Sequence, residues 1–166
     1  MEQVAKAKLQ ILVADPSAYL ASLTSSLLRS VGFKKITEVD NARAAQIALE
    51  RTRFDALIID SALAPLDGVA LTRAVRTDPH NLNRDTTIVL VFSEISKAQL
   101  IEARDAGVTE FIRKPLSAAV LDLRLKATWT NPRPFVTAPA YAGPDRRRRA
   151  AGVKGPNRRK SPQPAV

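Results

Sequence analysis

Four polar residues follow short apolar runs of the sequence, and together they suit one kind of chemistry. They are Asp15, Asp60, Ser93 and Lys114. A carboxylate at Asp60 can act as a nucleophile toward phosphorus, and a second carboxylate at Asp15 can help to hold Mg²⁺. The Ser93 hydroxyl and the Lys114 ammonium can bind the oxygens of a transferred phosphoryl group. This set predicts that Asp60 accepts phosphate and that Asp15 and Asp60 are metal ligands.

The stretch GPDRRRR, residues 143–149, suits a different ligand. Arginine keeps its charge, and guanidinium groups pair with phosphate oxygens or with O6 and N7 of guanine. Asp145 repels phosphate but can accept hydrogen bonds from the N1–H and amino group of guanine, and Tyr141 offers a stacking face. Gly143 and Pro144 predict a bend that brings the backbone close to a flat ligand. We therefore interpret this stretch as a site for guanine and phosphate. Its arginines are Arg146, Arg147, Arg148 and Arg149.

Five apolar runs with strand character alternate with five segments of helical spacing. Strands are predicted at residues 9–13, 35–39, 55–60, 87–92 and from 110, and helices at residues 17–32, 42–53, 68–77, 96–107 and 117–128. This alternation predicts a doubly wound α/β fold, with a five-stranded parallel sheet and helices on both faces. The carboxyl ends of parallel strands meet at one edge, so we expect the four polar residues to gather there.

Two of the predicted helices carry additional local signals. In the first, the large apolar residues recur at helical spacing and predict the buried face: Tyr19, Leu20, Leu23, Leu27 and Val31. In the fourth, Ser96 and Gln99 have the spacing of a capping box, and Gly107 predicts the C-terminal end. Both patterns support helices that pack against the sheet.

The composition excludes several classes of site. The chain has no cysteine and a single histidine, His80, which excludes disulfides, thiolate nucleophiles and the usual clusters for transition metals. Oxygen-ligated metals such as Mg²⁺ remain. The sequence shows no apolar run long enough for a transmembrane helix and no signal-peptide pattern. We therefore expect a cytoplasmic protein with no membrane partner.

The net charge of +10 is concentrated near the C-terminal end. Residues 131–166 hold nine basic residues, one acidic residue and seven of the eleven prolines, so they carry +8 of this charge. Their apolar surface is too small to offset the entropy of ordering, and they show no helical or strand period. The sequence thus predicts a domain over residues 1–130 and an irregular, flexible, ligand-binding tail over residues 131–166. Within the tail, the motif GPDRRR recurs as GPNRRK twelve residues later.

Residues 9–128 resemble the receiver domain of two-component response regulators, in particular the single-domain CheY class, because all four strand-end positions match. The resemblance implies a flavodoxin-like strand order 2-1-3-4-5, phosphorylation of Asp60 by a histidine kinase, and a backbone carbonyl of Ala62 as a further Mg²⁺ ligand. Two positions depart from the family pattern. Ala14 replaces the first of two adjacent acids, which predicts a weakened Mg²⁺ site, and Phe111 lacks the hydroxyl of a tyrosine.

The C-terminal stretch resembles a narrower family, the Cle-type CheY-like proteins, which bind cyclic di-GMP through arginine-rich C-terminal residues. The motifs RPF, YAGPDRRRR and GPNRRK carry this resemblance. It implies that Arg133, Asn157, Arg158 and Arg159 contribute to the binding site as well. It also implies that the nucleotide orders the tail and promotes binding to the flagellar motor switch, which tunes motility and attachment. The receiver would bind the switch through its fourth helix, fifth strand and fifth helix.

Three functional classes are therefore open at this point. The leading one is a cyclic di-GMP-binding signalling protein. The second is a phosphotransfer receiver that uses Asp60, unless Asp60 and Lys114 form only a buried ion pair. The third is a polybasic tether for nucleic acid or an anionic membrane. It ranks last because the sequence has neither an amphipathic basic helix nor an aromatic-rich binding sheet. We expect no enzymatic activity beyond self-phosphorylation at Asp60.

Overall fold

The computed structural model describes residues 3–147 of the chain. The helices are α1 (Gln3–Lys6), α2 (Ala18–Ser30), α3 (Ala42–Arg51), α4 (Gly68–Thr77), α5 (Lys97–Ala106) and α6 (Ala118–Thr130). The strands are β1 (Gln10–Ala14), β2 (Lys35–Val39), β3 (Ala56–Asp60), β4 (Thr87–Phe92), β5 (Glu110–Arg113), β6 (Phe135–Ala138) and β7 (Tyr141–Pro144). None of the helices in this described part is long and apolar enough to cross a membrane.

The first five strands form one parallel sheet in the order β2-β1-β3-β4-β5, which confirms the predicted doubly wound fold. Successive strand residues point to opposite faces, so the fully buried β3 contributes to two cores. Ile58 packs in one core with Leu28 of α2 and Leu121 of α6. Ile59 packs in the other with Leu71 of α4. Covered on both faces, the sheet holds its carboxyl edge as a rigid platform.

Five helices begin at side chains that cap the first turn. These are Ser17, Asn41, Asp67, Ser96 and Ser117, and each accepts a hydrogen bond from the backbone N–H three residues later. The predicted capping box is confirmed, because Ser96 N also donates to Gln99 Oε1 at 2.9 Å. Gly107 ends α5 with φ of 97°, the left-handed conformation that glycine adopts readily.

The buried face of α2 differs from the one that its large apolar residues predict. Tyr19 is 75% exposed and Leu23 is 44% exposed. Ala21, Ser25 and Leu28 face the interior instead. Leu27 and Val31 do pack against the core, so the prediction from side-chain size was right for these two and wrong for Tyr19 and Leu23. Small side chains at the other buried positions let the helix approach its neighbours closely.

The chain after α6 folds into a two-stranded antiparallel hairpin, which corrects the prediction of an irregular tail for residues 135–144. Strands β6 and β7 pair from Phe135 opposite Pro144 to Ala138 opposite Tyr141. Tyr141 is buried, and its hydroxyl donates to the Pro144 carbonyl at 2.5 Å. The hairpin packs through β7 on α4 and α5. Strands of four residues are too short to show a periodic pattern, which is why the sequence did not reveal them.

A buried arginine joins the hairpin to the α/β body. Arg76 of α4 is 1% exposed, and its Nε donates to the Gly107 carbonyl at 3.0 Å. Its two terminal nitrogens donate to the Arg84 carbonyl at 2.5 Å and to the Thr109 hydroxyl at 3.2 Å. The guanidinium also lies over the Phe135 ring, 5.7 Å from its centroid. Burial lowers the pKa of Arg76 to about 10, so the side chain still carries its charge at neutral pH. The division into domains at residue 130 stays a prediction.

Candidate functional site

The four strand-end residues lie along the carboxyl edge of the main sheet. Asp60 is the last residue of β3, and Asp15 and Lys114 directly follow β1 and β5. Ser93 directly follows β4. Because β1 and β3 are adjacent and parallel, Asp15 and Asp60 come together at this edge, and the chain leaving β5 brings Lys114 to them.

Lys114 contacts both carboxylates. Its Nζ lies 2.5 Å from Asp60 Oδ2 and 3.1 Å from Asp15 Oδ2. Asp60 is 5% exposed and Asp15 is 6% exposed, so water solvates neither carboxylate well and the ammonium offsets both charges. Partial burial lowers the pKa of Lys114, but hydrogen bonds and charges from Asp60 and Asp15 outweigh it and raise the pKa above its ordinary value. Lys114 is therefore a fixed positive charge beside Asp60.

Backbone N–H groups hold the remaining oxygens of the two carboxylates. Ala62 N donates to Asp60 Oδ1 at 2.7 Å, and Ser17 N donates to Asp15 Oδ1 at 2.8 Å. Gly68 packs on the backbone of Asp60, where a Cβ would lie 2.6 Å from the carbonyl oxygen. These contacts fix Asp60 so that its Oδ2 atom faces the ammonium. In that position the carboxylate is suited to attack a phosphoryl group whose oxygens the ammonium binds.

The same residues offer ligands for a hard divalent cation. Asp15, Asp60 and the Ala62 carbonyl are oxygen donors of the kind that Mg²⁺ prefers, and Mg²⁺ usually keeps several waters. The donor set therefore fits this ion, although the protein supplies only three donors. Within residues 3–147, no group of three or more His, Cys, Asp or Glu side chains gathers. At the position of the absent acid, Ala14 is buried and packs with Leu12. Weak Mg²⁺ binding at this site stays a prediction.

Ser93 and Phe111 are the remaining positions that the receiver resemblance singles out. Ser93 is exposed, and its carbonyl accepts a hydrogen bond from Arg113 Nε at 3.3 Å. Its hydroxyl is therefore accessible to an incoming phosphoryl oxygen. Phe111 of β5 packs against Leu90 and Val108. The structure thus places apolar packing where a tyrosine hydroxyl contact is usual in the family.

Arg146 holds the beginning of the arginine run against α5. Its Nη1 lies 2.6 Å from Asp105 Oδ1, and its guanidinium carbon lies 4.3 Å from the centroid of the Tyr141 ring. A hydrogen bond from Arg104, opposed by burial and helped by Arg146, lowers the pKa of Asp105, so this carboxylate is ionised at neutral pH. Arg146 is 43% exposed and therefore presents a flat, oriented cation at the surface.

Tyr141, Gly143 and Pro144 make internal contacts. The predicted bend at Gly143 and Pro144 is wrong, because both residues belong to β7. Gly143 instead allows close packing within the protein, since a Cβ on it would lie 2.7 Å from the Tyr141 hydroxyl and 2.8 Å from the Gly107 Cα. Tyr141 is 9% exposed and already carries Arg146 on its ring, so its stacking partner in this structure is that guanidinium.

The other predicted ligand-binding residues divide into two groups. Arg133 donates to the Thr109 carbonyl, and Asp145 Oδ1 accepts from Arg147 N at 2.9 Å, so these residues are placed by the fold. The remaining predicted residues lie outside the described residues: Arg148, Arg149, Asn157, Arg158 and Arg159. Their role in ligand binding stays a prediction, as it does for those that are described.

Asp105 positions Arg146, and Arg76 supports the hairpin through Phe135. Neither residue was predicted from the sequence. Asp105 lies 41 positions before Arg146, and their contact depends on a hairpin that has no clear sequence pattern. Arg76 had a usable signal, because it lies on the buried stripe of α4 with Thr72 and Val75. An arginine within such an apolar stripe indicates a buried partner for its guanidinium.

Known proteins resemble the α/β body of this chain in sequence and in structure. The sequence matches the response regulator receiver domain over residues 11–126. The chemotaxis protein CheY of Pseudomonas aeruginosa is 31% identical over 118 residues, covering 71% of this chain and 94% of that protein. CheY-3 of Vibrio cholerae is 29% identical over 125 residues, covering 75% and 95%. The receiver domain of the Pseudomonas aeruginosa sensor histidine kinase PA1611, solved with magnesium in its active-site cleft, has a TM-score of 0.63 at 27% identity, covering 71% and 94%.

Proposed function

Because the chain belongs to the response regulator receiver family, we propose that it is a signalling receiver whose basic C-terminal segment binds cyclic di-GMP. As a receiver it is a signalling protein and not an enzyme. In this proposal the nucleotide orders the chain beyond Arg147, and the ordered protein binds the flagellar motor switch and tunes motility and attachment. The chemotaxis role named for its CheY relatives supports this choice of partner.

One observation carries the proposal: the guanidinium of Arg146 is held between the Tyr141 ring and the Asp105 carboxylate. The Tyr141 ring supports it at 4.3 Å, and Asp105 holds one of its nitrogens at 2.6 Å. A planar cation fixed in this way can stack on a guanine base or donate paired hydrogen bonds to phosphate. Because the side chain loses little freedom on binding, the entropy cost of forming these contacts is small.

Asp145 supports guanine rather than phosphate alone as the ligand. Its amide donates to the Pro134 carbonyl at 2.8 Å, and its carboxylate accepts from Arg147 N at 2.9 Å. This turn places a negative charge within the arginine run. A carboxylate repels phosphate but accepts hydrogen bonds from the N1–H and amino groups of guanine. The combination is suited to a ligand that carries both guanine and phosphate.

The hairpin supports a link between the basic segment and the receiver. It places the start of the arginine run beside α5, next to the face of α5, β5 and α6 that the family resemblance assigns to the motor switch. A ligand that orders the segment changes this surface and can therefore change the affinity for a partner. Coupling of this kind requires only that the ligand bind the two states of the segment unequally.

Isothermal titration with cyclic di-GMP tests the proposal. We expect the full chain to bind, a chain that ends at Pro144 to lose binding, and a variant with lysine at positions 146–149 to bind much more weakly. Lysine keeps the charge but lacks the planar fork of guanidinium, so this variant separates recognition from simple attraction. Equal affinity of the full and shortened chains would contradict the proposal.

Salt dependence separates nucleotide binding from a polybasic tether for nucleic acid. Counterion release makes binding to DNA or RNA fall steeply as salt rises. Stacking and hydrogen bonds to guanine depend less on salt, so cyclic di-GMP affinity should fall less than the affinity for a labelled oligonucleotide. Filter binding of both ligands at two salt concentrations makes the comparison. A steeper loss for cyclic di-GMP would favour the tether.

The contact of Lys114 with Asp60 supports a second candidate function, phosphate transfer from a histidine kinase. In this step the phosphorus–nitrogen bond of the phosphohistidine breaks, and a bond forms between phosphorus and a carboxylate oxygen of Asp60. The Lys114 ammonium binds the phosphoryl oxygens as they arrive, and the accessible Ser93 hydroxyl can donate to them. Mg²⁺ held by Asp15, Asp60 and the Ala62 carbonyl would neutralise further phosphoryl charge.

Beryllofluoride with Mg²⁺ tests this second candidate, since it mimics a phosphoryl group on a carboxylate. We expect amide shifts around Asp60 in the wild-type NMR spectrum and none in Asp60→Asn, which keeps the shape of the side chain. If the amide shifts of the wild-type protein did not change under the same conditions, phosphorylation would be contradicted and cyclic di-GMP would remain as the proposed signal. The titrations with cyclic di-GMP and with beryllofluoride therefore distinguish the two proposed inputs.

A further inference from the structure

A small cavity lies beneath the hairpin, at the edge of the main sheet opposite to Asp60. Its volume is about 110 Å³. Thr87 and Glu110 are the first residues of β4 and β5, so the amino ends of these strands form one wall. The end of α6 forms a second wall, and the hairpin forms a third through Phe135 and Pro144, which pair across β6 and β7. A molecule bound in this cavity therefore contacts the α/β body and the hairpin together.

Arg76 brings a buried positive charge to this cavity. It is one of the lining residues, and it is 1% exposed. Its hydrogen-bond acceptors are the carbonyls of Gly107 and Arg84 and the hydroxyl of Thr109, which are all uncharged. In the part of the chain that the structure describes, no carboxylate forms an ion pair with Arg76. A guanidinium has more N–H groups than these three bonds use, so it can also donate to a ligand. A buried charge without a counter-charge is costly, so an anion beside it is stabilising.

The carboxylates around the cavity are already paired with other arginines. The two that line it belong to Asp85 and Glu110, and Arg133 lines it as well. Asp85 Oδ1 lies 3.1 Å from Arg53 Nη2. Glu110 lies 3.3 Å from Arg124 Nη1 and 3.9 Å from Arg133 Nη2. Because both carboxylates have partners of their own, the charge of the buried guanidinium remains to be balanced.

The size and the donors of the cavity favour a small oxyanion. The cavity is several times larger than one water molecule needs, but it is too small to enclose a nucleotide or a peptide. The Thr87 hydroxyl and the Asn131 side-chain amide line it together with Arg76 and Arg133, and all four can donate hydrogen bonds. The oxygens of a tetrahedral anion accept from several donors at once, and guanidinium groups bind such oxygens well.

We propose that this cavity binds a free oxyanion of the phosphate or sulfate type and that the bound anion fastens the hairpin to the α/β body. An anion that contacts both sides binds the docked hairpin more tightly than a detached one, so it shifts the balance toward docking. The hairpin also brings Arg146 to Asp105, so this contact becomes more persistent as the anion binds. Asp60 lies at the opposite edge of the sheet, so its chemistry stays separate from this site.

Titration of the full chain with sodium phosphate tests the proposal. The buffer lacks Mg²⁺, sodium chloride keeps the ionic strength constant, and amide NMR follows the protein. We expect saturable shifts at Thr87, Thr109 and Phe135 and slower amide hydrogen exchange from Tyr141 to Gly143. The amide of Ala62, which donates to Asp60, should not shift. Saturable shifts confined to Ala62 and its neighbours would overturn the proposal.

A general salt effect gives a different result. Phosphate and sulfate also stabilise proteins by exclusion from their surface, and this effect is not confined to one site. It would grow steadily with concentration and slow exchange in β1 as much as in β7. That outcome would overturn the cavity as a binding site.

A matched pair of variants tests which arginine binds the anion. Arg133 and Arg124 both contact Glu110, but only Arg133 lines the cavity. We expect Arg133→Gln to weaken phosphate binding by roughly fivefold or more and Arg124→Gln by less than about twofold, because glutamine removes the charge but keeps a neutral donor. Equal affinities in the two variants would overturn the proposal.

Two further measurements test the buried charge and the source of the phosphate group. Arg76→Met keeps much of the side-chain volume but removes the charge, and we expect it to lose saturable binding of phosphate. If a folded Arg76→Met bound phosphate as the wild type does, then the proposal would be wrong. Guanosine monophosphate carries the same anionic group on a larger molecule, and the size of the cavity should exclude it. Saturable shifts of Thr87 and Phe135 with this nucleotide would overturn the assignment to a free anion.

Discussion

Gly143 and Gly107 face each other where the hairpin meets the α/β body, and a methyl group on Gly143 would lie 2.8 Å from the Gly107 Cα. The same methyl would lie 2.7 Å from the Tyr141 hydroxyl. Close backbone approach of this kind leaves no room for a side chain, so the hairpin docks only as far as this position stays small. The start of the arginine run depends on that docking.

Gly143→Ala should therefore loosen the hairpin. Overpacking at a tight contact costs about 1–3 kcal/mol, and most of this cost falls on the docked state of β6 and β7. We expect faster amide hydrogen exchange from Tyr141 to Gly143, with little change in β1 and β3. Ala140→Ser, at the exposed turn of the hairpin, is the control and should leave exchange unchanged. Unchanged protection in Gly143→Ala would contradict this contact.

Arg76→Ala should destabilise the protein more than any change at the surface of α4. It removes three hydrogen bonds, leaves the buried Gly107 carbonyl and the partly buried Arg84 carbonyl without this donor, and opens a cavity. We expect the free energy of unfolding in urea to fall by about 2–4 kcal/mol. Arg73→Ala on the exposed side of the helix should change it by less than about 0.5 kcal/mol.

Arg76→Met separates the two causes of this loss. Methionine fills much of the volume but cannot donate, so its stability should lie between those of the wild type and Arg76→Ala. If Arg76→Met equals the wild type, then the hydrogen bonds to Gly107 and Arg84 contribute nothing measurable, and packing alone explains the burial.

The grouping of polar residues at the carboxyl edge of the sheet could be predicted from the sequence because it follows from the topology. Asp15, Asp60 and Lys114 each stand at or just after the end of a parallel strand, and parallel strands end side by side. The strands themselves were visible as continuous apolar runs, since β3 is buried on both faces. Element type and strand order could therefore be predicted, whereas the contact of the Lys114 ammonium with both carboxylates was visible only in the three-dimensional structure.

The hairpin and the face of α2 were beyond sequence reasoning for different reasons. Each hairpin strand has four residues and its docking depends on Arg76, far away in the chain, so no local window contains the signal. On α2, Ala21 and Ser25 are buried while Tyr19 stays exposed, because close approach of the helix favoured small side chains. In both places long-range packing outweighed the local pattern.

The contact between Arg146 and Asp105 should be insensitive to pH near neutrality. The pKa of Asp105 in the folded protein is lowered below its ordinary value of 3.8, mainly by the hydrogen bond from Arg104. A carboxylate with a lowered pKa contributes its full stabilisation above its unfolded pKa and loses it as pH falls through the folded value. We expect constant amide shifts of Gly143 and Arg147 from about pH 5 to 8 and a change only below about pH 4. Asp105→Asn should abolish that acid transition, and a transition near pH 6 would contradict the assignment.

Lys114→Met should leave Asp15 and Asp60 facing each other without their shared cation. Both are at least nine-tenths buried, so the free energy of unfolding at pH 7 should fall by about 1–3 kcal/mol. The pKa of Lys114 is raised above 10.5, so in the wild type this contribution is complete at neutral pH and is lost only as pH rises through that folded value.

In the variant, Mg²⁺ should restore part of the lost stability, because it supplies positive charge to the same oxygens. Urea denaturation with and without Mg²⁺ measures this, and Lys126→Met, which removes the exposed lysine that pairs with Asp122, is the control and should show no response to Mg²⁺. If Lys114→Met were as stable as the wild type and responded to Mg²⁺ no more than the wild type does, then the carboxylates would not be coupled through Lys114.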